Sequence, residues 1–324
     1  MTTIERLDPT DDAQFAEFHA AYLAGNDGTW DRPYTFDELR AELLDTGGYE
    51  LPFILIARND AGVAVAVASA YLPLKDNLTM AHVGIRVVPG HRRRGHGTAC
   101  FEAVRVVAQE NRRTKLFAEA HWDAGVDAPA NRAFAERHGF RLDLTYAHRV
   151  LELPATLAAA TVRDGYAVRA WRDACPEAYL DEYANLLALI TQEAPSGDAG
   201  LENEFFDGVR IRSDESLLRS QRRVMQVVVA VAPDGTLAGH SQLVFPMTDR
   251  ENVYQWDTLV LEDHRGHGLG LALKTAAMFE ASDLLNGRCW IHTYNAVSNG
   301  PMIAVNEAMG FRLVAYNGEF IRTI

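Results

Sequence analysis

The sequence predicts an α/β fold in two tandem copies, and three features point to it. β-rich runs alternate with amphipathic helical stretches along the chain. A shift of 173 residues carries His264-Arg265 onto His91-Arg92, Gly268 onto Gly95, Gly270 onto Gly97, Gly235 onto Gly62 and Pro246 onto Pro73. Separate landmarks thus keep one register, as an internal duplication requires. At 324 residues the chain is long for one domain and comfortable for two of about 150, each able to bury its own core.

In order, Thr3 to Leu7 reads as a short strand, and Asp11 to Ala24 as a helix with Asp11 at its N-cap and Phe15, Phe18 and Tyr22 apolar. Phe36 to Leu44 is a second helix after the turn at Pro33. Phe53 to Ala57 and Val63 to Leu72 are β-rich runs joined by Asn59-Asp60-Ala61-Gly62, a hairpin signal. The strand Ala81 to Val88 enters a glycine turn and a helix from Thr98 to Gln109. Leu116 to Ala120 is a strand, and Asn131 to His138 a helix stopped by Gly139. A first domain over 1–154 ends at Leu153-Pro154, and the period-free run Ala155 to Thr161 is the expected linker to a second domain over 162–324.

Val168-Arg169 restarts the pattern. Glu177 to Thr191 and Ser213 to Gln221 read as helices, and the loop Ala194 to Gly200 between them has no partner in the first half, as specificity loops often do not. The hairpin Gln226 to Phe245 turns at Pro233-Asp234-Gly235. The helix from Leu269 carries Leu269, Ala272, Leu273 and Ala276 at i, i+3, i+4 and i+7 and is expected to run to Asn286-Gly287. Cys289 to Thr293 is the next strand. Asn299 at the N-cap position, Pro301 near the start and Gly310 at the end mark a short helix.

The stretch Asp257 to Gly270 carries the sharpest chemical signal. An apolar strand, Leu259, Val260 and Leu261, runs into a turn with Arg265, Gly266, His267, Gly268 and Gly270, and a helix starts at Leu269. Glycines let backbone N–H groups converge, and the helix N-terminus adds about half a positive charge, so the turn suits a pyrophosphate. Val87, Val88, Arg92, Arg93, Arg94, Gly95, His96 and Gly97 form a second such site in the first half.

Composition excludes several classes. Lys plus Arg is 31 against 44 Asp plus Glu, a net charge of −13, which argues against nucleic acid or an anionic membrane as partner. Cys100, Cys175 and Cys289 have no paired spacing, so neither a disulfide framework nor a zinc site is expected, and the compartment is reducing. His264 and His267 lack further ligands at metal spacing, and no metal is expected. With no long apolar run and no signal-like N-terminus, the expected location is cytoplasmic.

The order strand, Arg-x-x-Gly-x-Gly turn, helix, strand, Asn-led short helix and Gly310-Phe311 resembles the GCN5-related N-acetyltransferase family in its tandem form. The resemblance covers both halves. It implies two acyl-CoA acyltransferase domains, each a central twisted mixed sheet flanked by helices and splayed between its fourth and fifth strands, with acetyl-CoA threaded through the gap. It also implies cofactor contacts at Leu259, Val260 and Leu261, through Arg265, Gly266, His267, Gly268, Leu269 and Gly270, and at Asn299, Met302 and Asn306.

Acetyl transfer to an amine needs the neutral amine, and a lysine-like group of pKa about 10.4 costs about 4–5 kcal/mol to deprotonate at pH 7. Period two on the strand Tyr254 to Leu261 puts Gln255, Asp257 and Leu259 on one face, which makes Asp257 the candidate base; a strand-end carboxylate capping a loop is the other reading. A tyrosine general acid of the family would stand where Asn306 is, a departure. Tyr294 is either a substitute acid or a core tyrosine, and Asn299 a pantetheine contact, a helix cap or both. In the first half Gly84 replaces Asp257 and His82 falls at the place of Gln255. The expected protein is an acetyl-CoA-dependent N-acetyltransferase, monomeric or homodimeric, acting on a small-molecule amine mainly through its second half. A non-catalytic acyl-CoA sensor or partner-binding protein, and an aminoacyl-tRNA-dependent transferase of the same fold, are the alternatives.

Overall fold

A computed structural model describes residues 2–26, 28–127, 129–155, 165–190 and 197–324. The expected linker beyond Ala155, Thr191 and the first three residues of the loop Ala194 to Gly200 lie outside the described residues. In chain order the elements are β1 Thr3–Arg6, α1 Asp12–Ala24, α2 Phe36–Leu44, β2 Glu50–Arg58, β3 Ala64–Pro73, β4 Met80–Val87, α3 His96–Glu110, β5 Lys115–Asp123, α4 Ala130–Arg137 and β6 Arg141–Glu152. They continue with β7 Ala167–Arg172, α5 Leu180–Ala188, α6 Gly208–Ser220, β8 Arg223–Val231, β9 Leu237–Pro246, β10 Asn252–Val260, α7 Leu269–Glu280, α8 Ser282–Leu285, β11 Trp290–Ala296, α9 Gly300–Ala308 and β12 Arg312–Thr323.

Two compact units result. The first is Met1–Thr145 with Asp198–Glu202 and Tyr316–Ile324; the second is Tyr146–Gly197 with Asn203–Ala315. In the first, the strands lie in the order β1-β2-β3-β4-β5 followed by the end of β12, antiparallel from β1 to β4 and parallel between β4 and β5. Both faces are covered, which is why β2 reads as an unbroken apolar run. Its Ile54 and Ile56 pack on Phe15, Phe18, Leu39 and Leu43 of α1 and α2. Leu55 and Ala57 turn to the other face, with Cys100, Phe101 and Val104 of α3 and Phe320 of β12.

The second unit repeats the plan in the order β6-β11-β10-β9-β8-β7, with β10 parallel to β11 and the other pairs antiparallel. Leu269, Leu273 and Ala277 of α7 cover one face with Leu243, Phe245, Val253, Ile291 and Leu151 of β6. Tyr183 and Leu187 of α5 and Ile211 and Leu218 of α6 cover the other, with Val227, Val229, Val244 and Leu259. The duplication is visible in the strands, since β2 and β8, and likewise β3 and β9, differ by the same 173-residue shift at both ends.

Local chemistry sets several boundaries. Asp11 caps α1 by accepting from the N–H groups of Ala13 and Gln14, and Gly139 stops the first-half short helix at φ +77°. The helix expected to run from Leu269 to Asn286 breaks after Glu280 instead. There Arg172 Nη2 donates to the Glu280 carbonyl and to the Asp283 carboxylate. The helix expected over Ser213 to Gln221 starts earlier, because Asp207 caps it by accepting from Arg210 N at 2.8 Å.

Candidate active site

Each unit leaves its fourth strand through the same turn. Val88 N–H donates to Val65 O and Leu261 N–H to Ala238 O, each at 3.0 Å, after which the chain turns through Pro89–His91 and Glu262–His264. Arg92 Nε reaches back to Val87 O at 3.0 Å, and Arg265 Nε to Val260 O at 3.2 Å. These arginines therefore brace the turn as well as charging its rim. Two left-handed residues follow, Arg93 and Gly95 in the first unit and Gly266 and Gly268 in the second. Gly95 and Gly268 are the N-caps of α3 and α7, and neither helix start has a side-chain cap. A Cβ built on Gly95, Gly266 or Gly268 would meet nothing within 4 Å, so the space before the helix N–H groups is open. Uncapped first-turn donors, the helix dipole and an open glycine concavity together fit an anionic diphosphate.

Beside the turn lies a gap in the sheet. The parallel pairing of β10 with β11 runs only from Asn252↔Trp290 to Tyr254↔His292, although both strands continue. In the first unit β4 and β5 likewise part after Val83↔Ala118. The units differ on the other edge. β4 pairs with β3 without interruption, whereas β10 slips by one residue against β9 between Gln255↔Leu243 and Thr258↔Ser241. That bulge leaves an extra residue and increases the local twist.

The bulge overturns two expectations. Gln255 and Asp257 do not share a face. Gln255 Nε2 donates to Ser241 Oγ and the Gln242 carbonyl, at 3.0 and 2.6 Å, while Asp257 influences Tyr183 on the α5 side, where Leu259 also packs. One extra residue resets the period of two. For the same reason His82 is not the counterpart of Gln255. His82 pairs with Tyr71, and 173 residues on it is Tyr254 that pairs with Val244.

Asp257 is exposed by area on β10. Loss of hydration raises its carboxyl above the ordinary aspartate range and nearby Glu204 raises it further, while its own backbone N–H opposes the shift. Tyr183, fully buried, accepts from Gln242 Nε2 at 2.7 Å, and burial raises its hydroxyl. His240 stands edge-on to Tyr183 at 5.7 Å with no hydrogen bond at either ring nitrogen among the described residues; burial pushes it down to about 3, so it is neutral.

The Acetyltransferase (GNAT) family model matches residues 15–140 and 192–311, once in each half and over more than half of the chain. The chain belongs to the GNAT acetyltransferase family. Among solved structures, the tandem GNAT protein from the clavulanic acid biosynthesis pathway is similar over 100% of this chain and 98% of its own, at 24% identity and a TM-score of 0.85. A GCN5-related N-acetyltransferase from Sphaerobacter thermophilus is similar over 99% and 95%, at 18% identity and a TM-score of 0.66. Saccharomyces cerevisiae N-myristoyltransferase is similar over 99% and 80%, at 13% identity and a TM-score of 0.58. No curated protein matched the sequence. At these identities the likenesses bear on the fold, a mixed sheet flanked by helices in two GNAT units.

As a GNAT protein the chain is an acyltransferase of an acyl-CoA-binding family. Of the remaining candidates, Asn299 caps α9 by accepting from Met302 N at 3.2 Å. Tyr294 is part exposed on β11, past the last pair with β10, and stacks on His148 at 4.2 Å. Asn306 is wholly buried: its carboxamide oxygen accepts from Lys274 Nζ at 2.7 Å and its nitrogen donates to Asn295 Oδ1. His264 bonds Tyr166 Oη at 2.8 Å, and no metal-holding group of His, Cys, Asp or Glu occurs among the described residues. Nor is any described helix long and apolar enough to cross a membrane.

Sequence reading missed the polar groups around this GNAT gap. His148 Nε2 and His292 Nδ1 are bonded at 2.9 Å, and His292 Nε2 reaches Asn252 Oδ1 at 2.7 Å, whose Nδ2 donates to Asp249. The bond from Asn252 Nδ2 to Asp249 orients the Asn252 amide with its oxygen toward His292 Nε2. Tyr254 stacks on His292 at 5.4 Å. The available signal was the alternation His292, Tyr294 on β11.

Proposed function

We propose that the protein moves an acetyl group from acetyl-CoA to the amine of a small molecule, with the chemistry mainly in the second unit. The observation that carries this reading is the open glycine turn at the start of α7 next to the gap where β10 and β11 part after Tyr254↔His292. The diphosphate would lie at Gly266 to Gly270, the pantetheine along Leu259 to Leu261, and the thioester in the gap. The fit rests on the uncapped helix start and the empty space before Gly266 and Gly268.

Asp257 is the base. Its raised pKa makes it a better proton acceptor than an ordinary aspartate. Glu204 acts on Asp257, and an acidic neighbour favours an acceptor that arrives as a cationic amine. The cationic amine first loses one proton to water; the neutral amine then attacks the acyl carbon, Asp257 takes the second proton from the nitrogen, the C–S bond breaks and the thiolate departs. A thioester is already activated, so positioning carries much of the rate. Gly84 and an unbulged β4 support a CoA-binding or structural role for the first unit. Free thiols at Cys100, Cys175 and Cys289 support a cytoplasmic enzyme.

The test is release of CoA thiol on incubating the protein with acetyl-CoA and a panel of amines. Asp257→Asn is expected to lower turnover about 10²-fold or more with acetyl-CoA affinity little changed. Tight acetyl-CoA binding without thiol release for any amine would favour the sensor reading instead.

A further inference from the structure

Lys274 is 1% exposed in the interior of α7, one turn past the helix start. Its ammonium donates to Asn306 Oδ1 at 2.7 Å and lies 5.4 Å from the Phe311 ring. No carboxylate compensates it among the described residues. Glu307, next to Asn306 on α9, pairs with Arg149 at 3.8 Å, and Val228, Leu243, Phe245 and Val253 of the strands share the core that α7 covers. Burial is the one cause acting on its titration and brings it down to about 7.

Folding does not need a cation here. In the 173-residue register the first unit has Phe101 at this position, 2% exposed and packed edge-on to Phe140 at 6.0 Å. Asn306 has Ala135 as its counterpart, because Phe311 N–H donates to Asn306 O just as Phe140 N–H donates to Ala135 O. The same architecture is thus built once with Phe101 and Ala135 and once with Lys274 and Asn306. An isolated buried ammonium is a destabilising choice, and such groups mark functional sites. The chain of bonds has a direction. Lys274 Nζ–H points to Asn306 Oδ1, and Asn306 Nδ2–H to Asn295 Oδ1 on β11, beyond the last pair with β10 and so at the wall of the gap.

We propose that Lys274 is a positioning residue for the leaving group: acting through Asn306 and Asn295, it holds positive potential at the gap wall where the CoA sulfur departs as a thiolate. This rests on the acyl-transfer reading above. In the step, the acceptor nitrogen forms a bond to the acyl carbon, the C–S bond breaks, and its electron pair stays on sulfur. The amine proton goes to Asp257. Lys274 keeps its own proton, no proton crosses the carboxamides, and solvent protonates the thiolate on release.

The experiment needs no acceptor. Thiolate absorbance of bound CoA, followed against pH, gives the thiol pKa in the wild-type protein and in Lys274→Met, whose side chain has similar length and no charge. The wild type is expected to hold that pKa lower than the variant by about one unit, a tenfold difference in thiolate fraction. Lys274→Met should also unfold at a higher temperature, as removal of an uncompensated buried charge predicts, while turnover falls about tenfold. A purely structural lysine would not give higher stability with lower turnover. In the wild type alone, NMR titration of the lysine Nζ should show a higher pKa with bound CoA than with bound acetyl-CoA. Equal thiol pKa values in the two proteins, or an Nζ titration indifferent to the thiol, overturn the inference while leaving the acyl-transfer reading standing. If the variant alone fails to bind CoA, the wild-type Nζ titration decides; failure of the wild type to bind CoA overturns both.

Discussion

Asp214 and Asp257 are both raised by lost hydration although both are exposed by area, and the consequences differ with what each can do. Asp214, on α6, is pushed up to about 6 by lost hydration, with Arg210 pulling it down and Glu204 and Glu215 pushing it up. A carboxyl whose folded pKa exceeds its unfolded value binds its proton more tightly when folded. Its favourable contribution is therefore fully present below about pH 3.8 and is lost as pH rises through about 6. Asp214→Asn removes that loss. The variant is expected to unfold at a higher temperature than the wild type at pH 7.5 and with little difference at pH 4, which thermal melts followed by circular dichroism would show. Asp257 was legible as a candidate from its place before a glycine turn. Lys274 was not, because a lysine at a helical position with apolar neighbours reads as a solvated face until the packing of α7 on the sheet is known.

At the scale of elements, what was legible followed from local chemistry. The glycine turns, the Asp11 and Asn299 caps and the hairpin at Gly62 each depend on residues a few positions apart. The bulge in β10 did not show, because it is a relation between Gln255 to Thr258 and the partner strand, and no side chain in that run demands it. The paired helices α3 and α7 also conceal a difference that side-chain spacing does not reveal. A Cβ at Gly97 would lie 3.2 Å from the Phe134 ring and 3.4 Å from Val87, whereas one at Gly270 would lie 3.8 Å from Val305. Alanine in a helix is favoured over glycine by about 1 kcal/mol, and overpacking costs about 1–3 kcal/mol. Gly270→Ala is thus expected to stabilise the protein by up to about 1 kcal/mol, and Gly97→Ala to destabilise it by a similar amount. Paired denaturant titrations check the opposite signs. Gly97 is accordingly a poor place to probe the first turn for CoA binding, since a larger side chain there acts through packing.

At the scale of the whole molecule, each compact unit takes its last strand from across the linker. Tyr146 to Ala155 belong to the second unit, where β6 pairs with β11 from Trp290↔Glu152 to Ala296↔Tyr146 and buries Val150 and Leu151. Tyr316 to Ile324 belong to the first, where Phe320 is fully buried in the α3-side core. Each buried Leu or Phe contributes about 1.5–3 kcal/mol, and an unpaired β11 would present an open edge as well. Fragments 1–154 and 162–324, made separately, would each lack part of a core that the duplicated sequence suggests is self-contained. The expected outcome is that 162–324 expressed alone is aggregation-prone or poorly folded, and that extending it back to residue 143 improves its soluble yield. A protease site placed within 156–164 gives the complementary measurement. After cleavage the two pieces are expected to co-elute on size exclusion and to keep the intact protein's melting temperature within a few degrees, because each piece still supplies the strand that completes the other's unit. Cleavage that releases two separately eluting folded halves would show instead that each half closes its sheet with its own last strand.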